Sequence, residues 1–223
     1  MNPRTDEYGG SLENRMRYVT RVIRRIKELC GADYPVSVRY SAASKMRGWN
    51  AGALPETVGQ WELVKKQMPV SFRGAPAALR EAVDECAPDA VLLIGVAASR
   101  GAVTPERQGV NEMSARIPDN EGYQPQNESI VPGGPGVLFS TLPVEDMVEA
   151  IQAAGVPARL SDDAGRYVCN ALLYSALYHL EQRDEPVPAA FIHVPAIPEM
   201  GLDVPVLTLE QLIAALSAAI KAI

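Results

Sequence analysis

Two histidines and three cysteines bound the nucleophilic and acid–base chemistry open to this chain of 223 residues. His193 closes the apolar run Ala189-Ala-Phe-Ile-His193, just before Val194-Pro195. A strand there would end at the edge where open α/β sheets bind ligands, although a structural histidine remains the alternative. His179 falls inside a predicted helix between Tyr178 and Leu180, where an exposed or partly packed ring is the simpler account. Cys30 and Cys86 each end a predicted helix and read as small apolar residues. Cys169 differs, because Gly165-Arg-Tyr-Val-Cys-Asn170 leads from a loop into a helix. The positive end of that helix is expected to lower the thiol pKa, and many hydrolases use a glycine turn, nucleophile and helix in this order. The alternative is a buried cysteine in a first turn. A thiol working with an imidazole needs a carboxylate to orient the ring and stabilise its protonated form. Glu106, Glu112, Asp119, Glu121 and Glu128 are candidates, and composition does not choose among them.

The elements that must position these groups alternate. Met16, Val19, Val22, Ile23, Ile26 and Leu29 recur at helical spacing, with Ser11 as N-cap and Gly31 just past the end. Pro35–Tyr40 reads as a short strand, and residues 41–59 as a junction without a period. A strand over Trp61–Val70, a helix over Ala75–Cys86 and an apolar strand over Asp89–Gly95 follow. The polar stretch Arg100–Gly136 is long enough to be functional or to carry short strands of its own. Then come a helix over Val144–Ala154, a short strand over Ala158–Ser161 and a helix over Cys169–Glu181. The Ala189–His193 strand and a closing helix over Thr208–Ile223 complete the chain. Strands separated by helices of about 10 to 15 residues predict an α/β fold, a three-layer sandwich around a mostly parallel, doubly wound sheet.

Composition narrows the class further. With 47% apolar and 22% charged residues the chain is globular in type. Its net charge of −6 is spread out, which argues against a nucleic-acid partner. No apolar run approaches the roughly 20 residues that span a bilayer, so no membrane partner is expected. Met1–Gly10 is polar and lacks the apolar core of a signal peptide. Three cysteines without CxxC spacing disfavour a disulfide scaffold and a zinc site. The expectation is a soluble cytoplasmic protein with no metal.

Five motifs carry a resemblance. Thr104-Pro-Glu-Arg107, Ala115-Arg-Ile-Pro-Asp-Asn-Glu-Gly122 and Phe139-Ser-Thr-Leu-Pro143 are followed by Ala164-Gly-Arg-Tyr-Val-Cys-Asn170 and Phe191-Ile-His-Val-Pro195. In this order they resemble the pyroglutamyl-peptidase I family, over about residues 68–223. The resemblance implies a cysteine exopeptidase that removes an N-terminal pyroglutamyl residue from peptides, without a cofactor. It implies Cys169 as nucleophile, His193 as general base and Glu106 as carboxylate partner. Tyr167, Val168 and Ile117 match positions that contact the substrate lactam ring, and Arg116 is a further candidate near the site. A homodimer or homotetramer is implied as well.

The front of the chain departs from that family. The glycine- and phenylalanine-rich loop that covers the lactam ring is missing. Asn2–Tyr18 and Pro35–Tyr40 instead resemble a fragment of Old Yellow Enzyme-type flavin oxidoreductases, over about residues 2–42, with Arg39 at a flavin-contacting position. A barrel of that kind takes about 250 residues, so no flavin is expected. The chain therefore reads as a chimera. Residues 1–60 form an atypical N-terminal segment of the same domain, and residues 61–223 the peptidase-like α/β part. Val96 stands where the peptidase family often has glutamine. Weakened peptidase activity is expected. Trp49 and Asn50 sit in the 41–59 junction, where a surface loop is the simpler reading and partial cover for the lactam ring the alternative. A catalytically silent assembly subunit and a flavin oxidoreductase are the competing readings.

Overall fold

The strand Ala189–Val194 is buried along its whole length and has a neighbour on each side. The computed structural model describes residues 53–223. The expected first helix, the Pro35–Tyr40 strand, Cys30, Arg39, Trp49 and Asn50 lie outside them.

In chain order the elements are β1 (Thr57–Val58), β2 (Trp61–Glu62), α1 (Gly74–Cys86), β3 (Val91–Val96), β4 (Thr104–Glu106) and β5 (Gln108–Val110). They continue with β6 (Val137–Phe139), α2 (Val144–Ala153), α3 (Val168–Glu181), β7 (Ala189–Val194), a 3-10 turn at Pro198–Met200 and α4 (Leu209–Lys221). The central sheet runs β3-β7-β4, with β3 parallel and β4 antiparallel to β7.

Alternation along β7 sorts the layers, because successive side chains leave opposite faces of a strand. Ala190, Ile192 and Val194 pack with Met147 and Ile151 of α2 and with Leu212, Leu216 and Ile220 of α4. Ala189 and Phe191 pack with Leu79 and Val83 of α1 and with Leu172, Leu173 and Leu177 of α3. Helices therefore cover both faces, as an α/β sandwich requires. α4 starts where expected: Thr208 Oγ1 accepts from the Gln211 N–H, and Gln211 Oε1 accepts from the Thr208 N–H.

Two strand expectations need correction. Over Trp61–Val70 only β2 forms, paired antiparallel with β1, and the following residues are irregular. The side chains there are pulled in opposite directions. Lys65 donates to the Leu54 carbonyl at 2.8 Å, while Lys66 pairs with Glu85 of α1. Pro69 then has no N–H for a ladder. The segment Ala158–Ser161 makes isolated parallel bridges, Val103 to Ala158 and Glu106 to Ser161, and lies along β4 on the side away from β7. The long polar stretch does carry short strands, β4 and β5. Leu54 and Val58, which precede the expected boundary at residue 60, are buried in the core beneath α2 and α4.

Candidate active site

Glu106 and His193 meet because β4 and β7 are hydrogen-bonded neighbours. The Glu106 side chain is 0% exposed and His193 is 4% exposed. The His193 Nδ1 lies 2.7 Å from Glu106 Oε1. An imidazole that donates through Nδ1 to a carboxylate leaves its other nitrogen available for chemistry. Burial opposes the charge on Glu106, but the His193 ring bonded to it, the nearby Ser161 hydroxyl and the Arg100 guanidinium hold its carboxyl below the usual range.

Cys169 arrives from the other layer. Tyr167 caps α3 in an extended conformation, which puts Cys169 in the helix's first turn. Gly165, with φ of +82°, supplies the turn before it in a conformation that favours glycine. The thiol lies against the sheet at Gly95, where an added Cβ would stand 3.3 Å from Cys169 Sγ and 2.7 Å from the Phe191 ring. Gly95 is the register partner of His193 in the parallel β3–β7 pair. Register partners share a face on strands about 4.8 Å apart. The thiol therefore lies near the strand position across from His193, with the Phe191 ring closer still to Gly95.

The lowered thiol pKa expected from the helix end is not found. Burial, and then the Glu106 carboxylate, push the Cys169 thiol up to about 11, with Arg100 pulling the other way. Removal from water outweighs the partial charge of the first turn.

The structure also chooses among the carboxylates. Asp119 accepts from the backbone N–H groups of Phe72, Glu121 and Tyr123 at 2.8–2.9 Å, so it braces two loops. Burial would raise its pKa, and these donors hold it below the usual range. Glu112 pairs with Arg166, and Glu128 accepts from the Tyr123 hydroxyl. Glu121 is exposed. Glu106 alone of the five reaches a histidine. His179 sits ten residues beyond Cys169 on the same helix, about 15 Å along its axis, and is half-buried against Tyr178. Cys86 ends α1, as expected of a helix-face cysteine.

Tyr167 donates its hydroxyl to the Pro118 carbonyl at 3.0 Å, which brings the Arg116-Ile117-Pro118 segment to the start of α3. Ile117 is 42% exposed and Arg116 is exposed, while Val168 is buried in the core with Phe72. Phe72, buried in the core, packs edge-on against Tyr167 at 5.2 Å between ring centroids, a support for Tyr167 that sequence reasoning missed. Its signal was an aromatic in the run Val70-Ser-Phe-Arg-Gly74 ahead of α1. Val96 packs against the core under α2 and α4, so it faces away from the thiol. Among the described residues no His, Cys, Asp or Glu group of three or more could hold a metal ion, and no helix is long and apolar enough to cross a membrane.

An α/β sheet that brings a buried histidine–carboxylate pair beside a helix-borne cysteine defines a class of thiol hydrolases. The chain belongs to the pyroglutamyl peptidase family, whose model matches residues 49–223. It is similar to the pyrrolidone-carboxylate peptidase of Thermococcus onnurineus, at 43% identity over 68% of this chain and 76% of that one. The pyrrolidone-carboxylate peptidase of Streptococcus suis is 45% identical over 69% of this chain and 71% of its own. Among solved structures, pyroglutamyl peptidase I from Bacillus amyloliquefaciens superposes with a TM-score of 0.70 at 39% identity, covering 72% of this chain and 78% of that one. The chain is thus a pyroglutamyl-peptidase-I-like enzyme, a hydrolase. A second family model, NADH:flavin oxidoreductase / NADH oxidase, matches residues 1–87, so the chain is a chimera at the level of sequence. That match extends past residue 42 and overlaps the peptidase match over residues 49–87. In the described part of it, Leu54, Val58, Phe72, Leu79 and Val83 pack into the cores on the two sides of the sheet.

Proposed function

We propose that this enzyme hydrolyses the bond after an N-terminal pyroglutamyl residue through Cys169, His193 and Glu106. The observation that carries the reading is the His193–Glu106 contact of 2.7 Å, buried directly across the register from the glycine that accommodates Cys169 Sγ.

The steps follow from the groups. The resting thiol is neutral, because its pKa is pushed up to about 11. Its proton passes to His193 as the thiolate attacks the amide carbonyl carbon. Backbone N–H groups in the first turn of α3, which lack partners within the helix, are our candidates to hold the developing oxyanion. The His193 imidazolium, held by Glu106, gives its proton to the departing amine, leaving a pyroglutamyl thioester on Cys169. His193 then takes a proton from water, which attacks the thioester and releases pyroglutamate and the thiol.

Tyr167, Val168, Ile117 and Arg116 are our candidates for the substrate side. Their support is uneven: Ile117 is open to water and Val168 is buried. We infer turnover below that of relatives that carry the aromatic substrate loop, because positioning is worth about 7 to 11 kcal/mol of a barrier. Residues 53–60 belong to this reading as part of the same domain, because Leu54 and Val58 are buried in its core. A homodimer or homotetramer in the cytoplasm rests on the family resemblance alone.

The test is release of a fluorogenic amine from its pyroglutamyl derivative by the full chain and by Cys169→Ala. Release that depends on Cys169 supports the reading. Intact, folded protein without any release would favour a catalytically silent subunit.

A further inference from the structure

The Glu106 carboxylate uses its two oxygens unequally. Oε1 accepts from His193 Nδ1 at 2.7 Å and lies 2.5 Å from Arg100 Nη1. Oε2 is buried with no hydrogen-bond partner. Arg100 stands in the β3–β4 connection, and its side chain is 19% exposed. The same Nη1 reaches the Thr104 hydroxyl and lies 3.4 Å from Ser161 Oγ. Its Nη2 donates to the Asp163 carbonyl at 2.7 Å.

We propose that Arg100 is a positioning residue, which fixes the Glu106 carboxylate on His193 and ties that pair to the segment leading into Cys169. The inference rests on the catalytic reading above and goes beyond it by adding a residue that touches neither thiol nor substrate. Three connections carry it. Thr104 and Glu106 belong to β4, His193 belongs to β7 through Glu106, and Asp163 lies two residues before the Gly165 turn into α3. The planar guanidinium fork reaches Glu106 and Asp163 at once, which a single ammonium on a flexible stem does poorly. A fully buried carboxylate without a cation would also be costly.

Arg100 further sets the charge felt by the reacting pair. Glu106 faces the thiol and imidazole from β4, His193 stands on β7, and Tyr167 adjoins the thiol at the start of α3. β3, whose residues Val91–Val96 are all uncharged, brings Gly95 up to the thiol. The nearby carboxylates are engaged elsewhere: Asp163 with Arg166 at 3.0 Å, and Asp162 with Arg107 at 2.7 Å. Without Arg100, the negative charge of Glu106 acts undiluted on the thiol, which then keeps its proton to higher pH.

The experiment is the pH dependence of Cys169 alkylation by iodoacetamide in the full chain, located by peptide mass mapping. Arg100→Gln is expected to move the midpoint up by about one pH unit, slowing alkylation about tenfold at a fixed pH below it. Arg100→Lys, which keeps the charge and loses the fork, is expected between Arg100→Gln and the parent. A merely structural role would lower stability without moving the midpoint, so a parent-like midpoint in Arg100→Gln overturns the proposal. Should Arg100→Gln fail to fold, Arg100→Lys decides: a raised midpoint supports the proposal and a parent-like one overturns it. A parent midpoint that His193→Gln does not shift would instead refute the catalytic reading on which the proposal rests.

Discussion

The two sides of the candidate site are built differently. On the sheet side, Glu106 and His193 are buried, register-fixed and hydrogen-bonded to each other. On the substrate side, Ile117 and Arg116 lie in an exposed loop held to α3 through the Tyr167 hydroxyl. The difference teaches that acid–base machinery and substrate positioning are separable here. The first is secured by strands that the core cannot do without. On the proposed reading, the second depends on exposed loops such as Arg116-Ile117.

The sharpest way to break this comparison is to remove the machinery. Cys169→Ala is expected to lower turnover by about 10⁴-fold or more. Its melting temperature should stay close to the parent's, because Cys169 is only part-buried and the change removes a single atom. Turnover in Cys169→Ala close to that of the parent would place the chemistry elsewhere.

Crowding the sheet side comes next. In Gly95→Ala the new Cβ would stand 2.7 Å from the Phe191 ring and 3.3 Å from Cys169 Sγ. Overpacking of this kind costs about 1–3 kcal/mol, read by denaturant unfolding, and turnover should fall further than stability alone explains. A variant with parent stability and turnover would show that the thiol does not need this gap.

The loop side is probed by Asp119. Its carboxyl is held below the usual value by backbone donors, so its contribution is present above the unfolded pKa and is lost as pH falls through the lower folded value. Asp119→Asn should be less stable than the parent at neutral pH, with a smaller loss on acidification, as followed by unfolding at several pH values. Equal acid sensitivity in the two proteins would remove Asp119 as a brace. The smallest effect is expected from Ile117→Ala: stability within about 0.5 kcal/mol, and a fall in kcat/KM of about tenfold or less. A much larger fall would mean that the exposed wall closes on substrate more tightly than its 42% exposure suggests.

Much of this was legible in the sequence, for identifiable reasons. The runs at Asp89–Gly95 and Ala189–His193 are apolar on both faces, and strands of that kind are buried in a sandwich. Thr208 and Gln211 form a capping box that marks the start of α4. Cys169 and His193 stood out by their places at a helix start and a strand end. Glu106 was not separable from Glu112, Asp119, Glu121 and Glu128 by position, and only the motif resemblance singled it out. Pairing of β4 with β7 supplies the physical reason, and nonlocal register is not encoded in a three-residue strand. The thiol pKa was misjudged because local helix geometry is visible in sequence, whereas burial against Gly95 is a tertiary fact. The Trp61–Val70 strand was misread because apolar residues there flank two lysines that pair in different directions.

The central claim is that Cys169 carries the acyl group during turnover. An activated pyroglutamyl ester makes acylation fast, so the thioester should accumulate and survive an acid quench. Mass analysis of the quenched full chain is expected to find one pyroglutamyl group on the peptide containing Cys169, persisting longer in His193→Gln, where water lacks its base. Ester turnover with Cys169 unmodified, and at an equal rate in Cys169→Ala, would contradict the account.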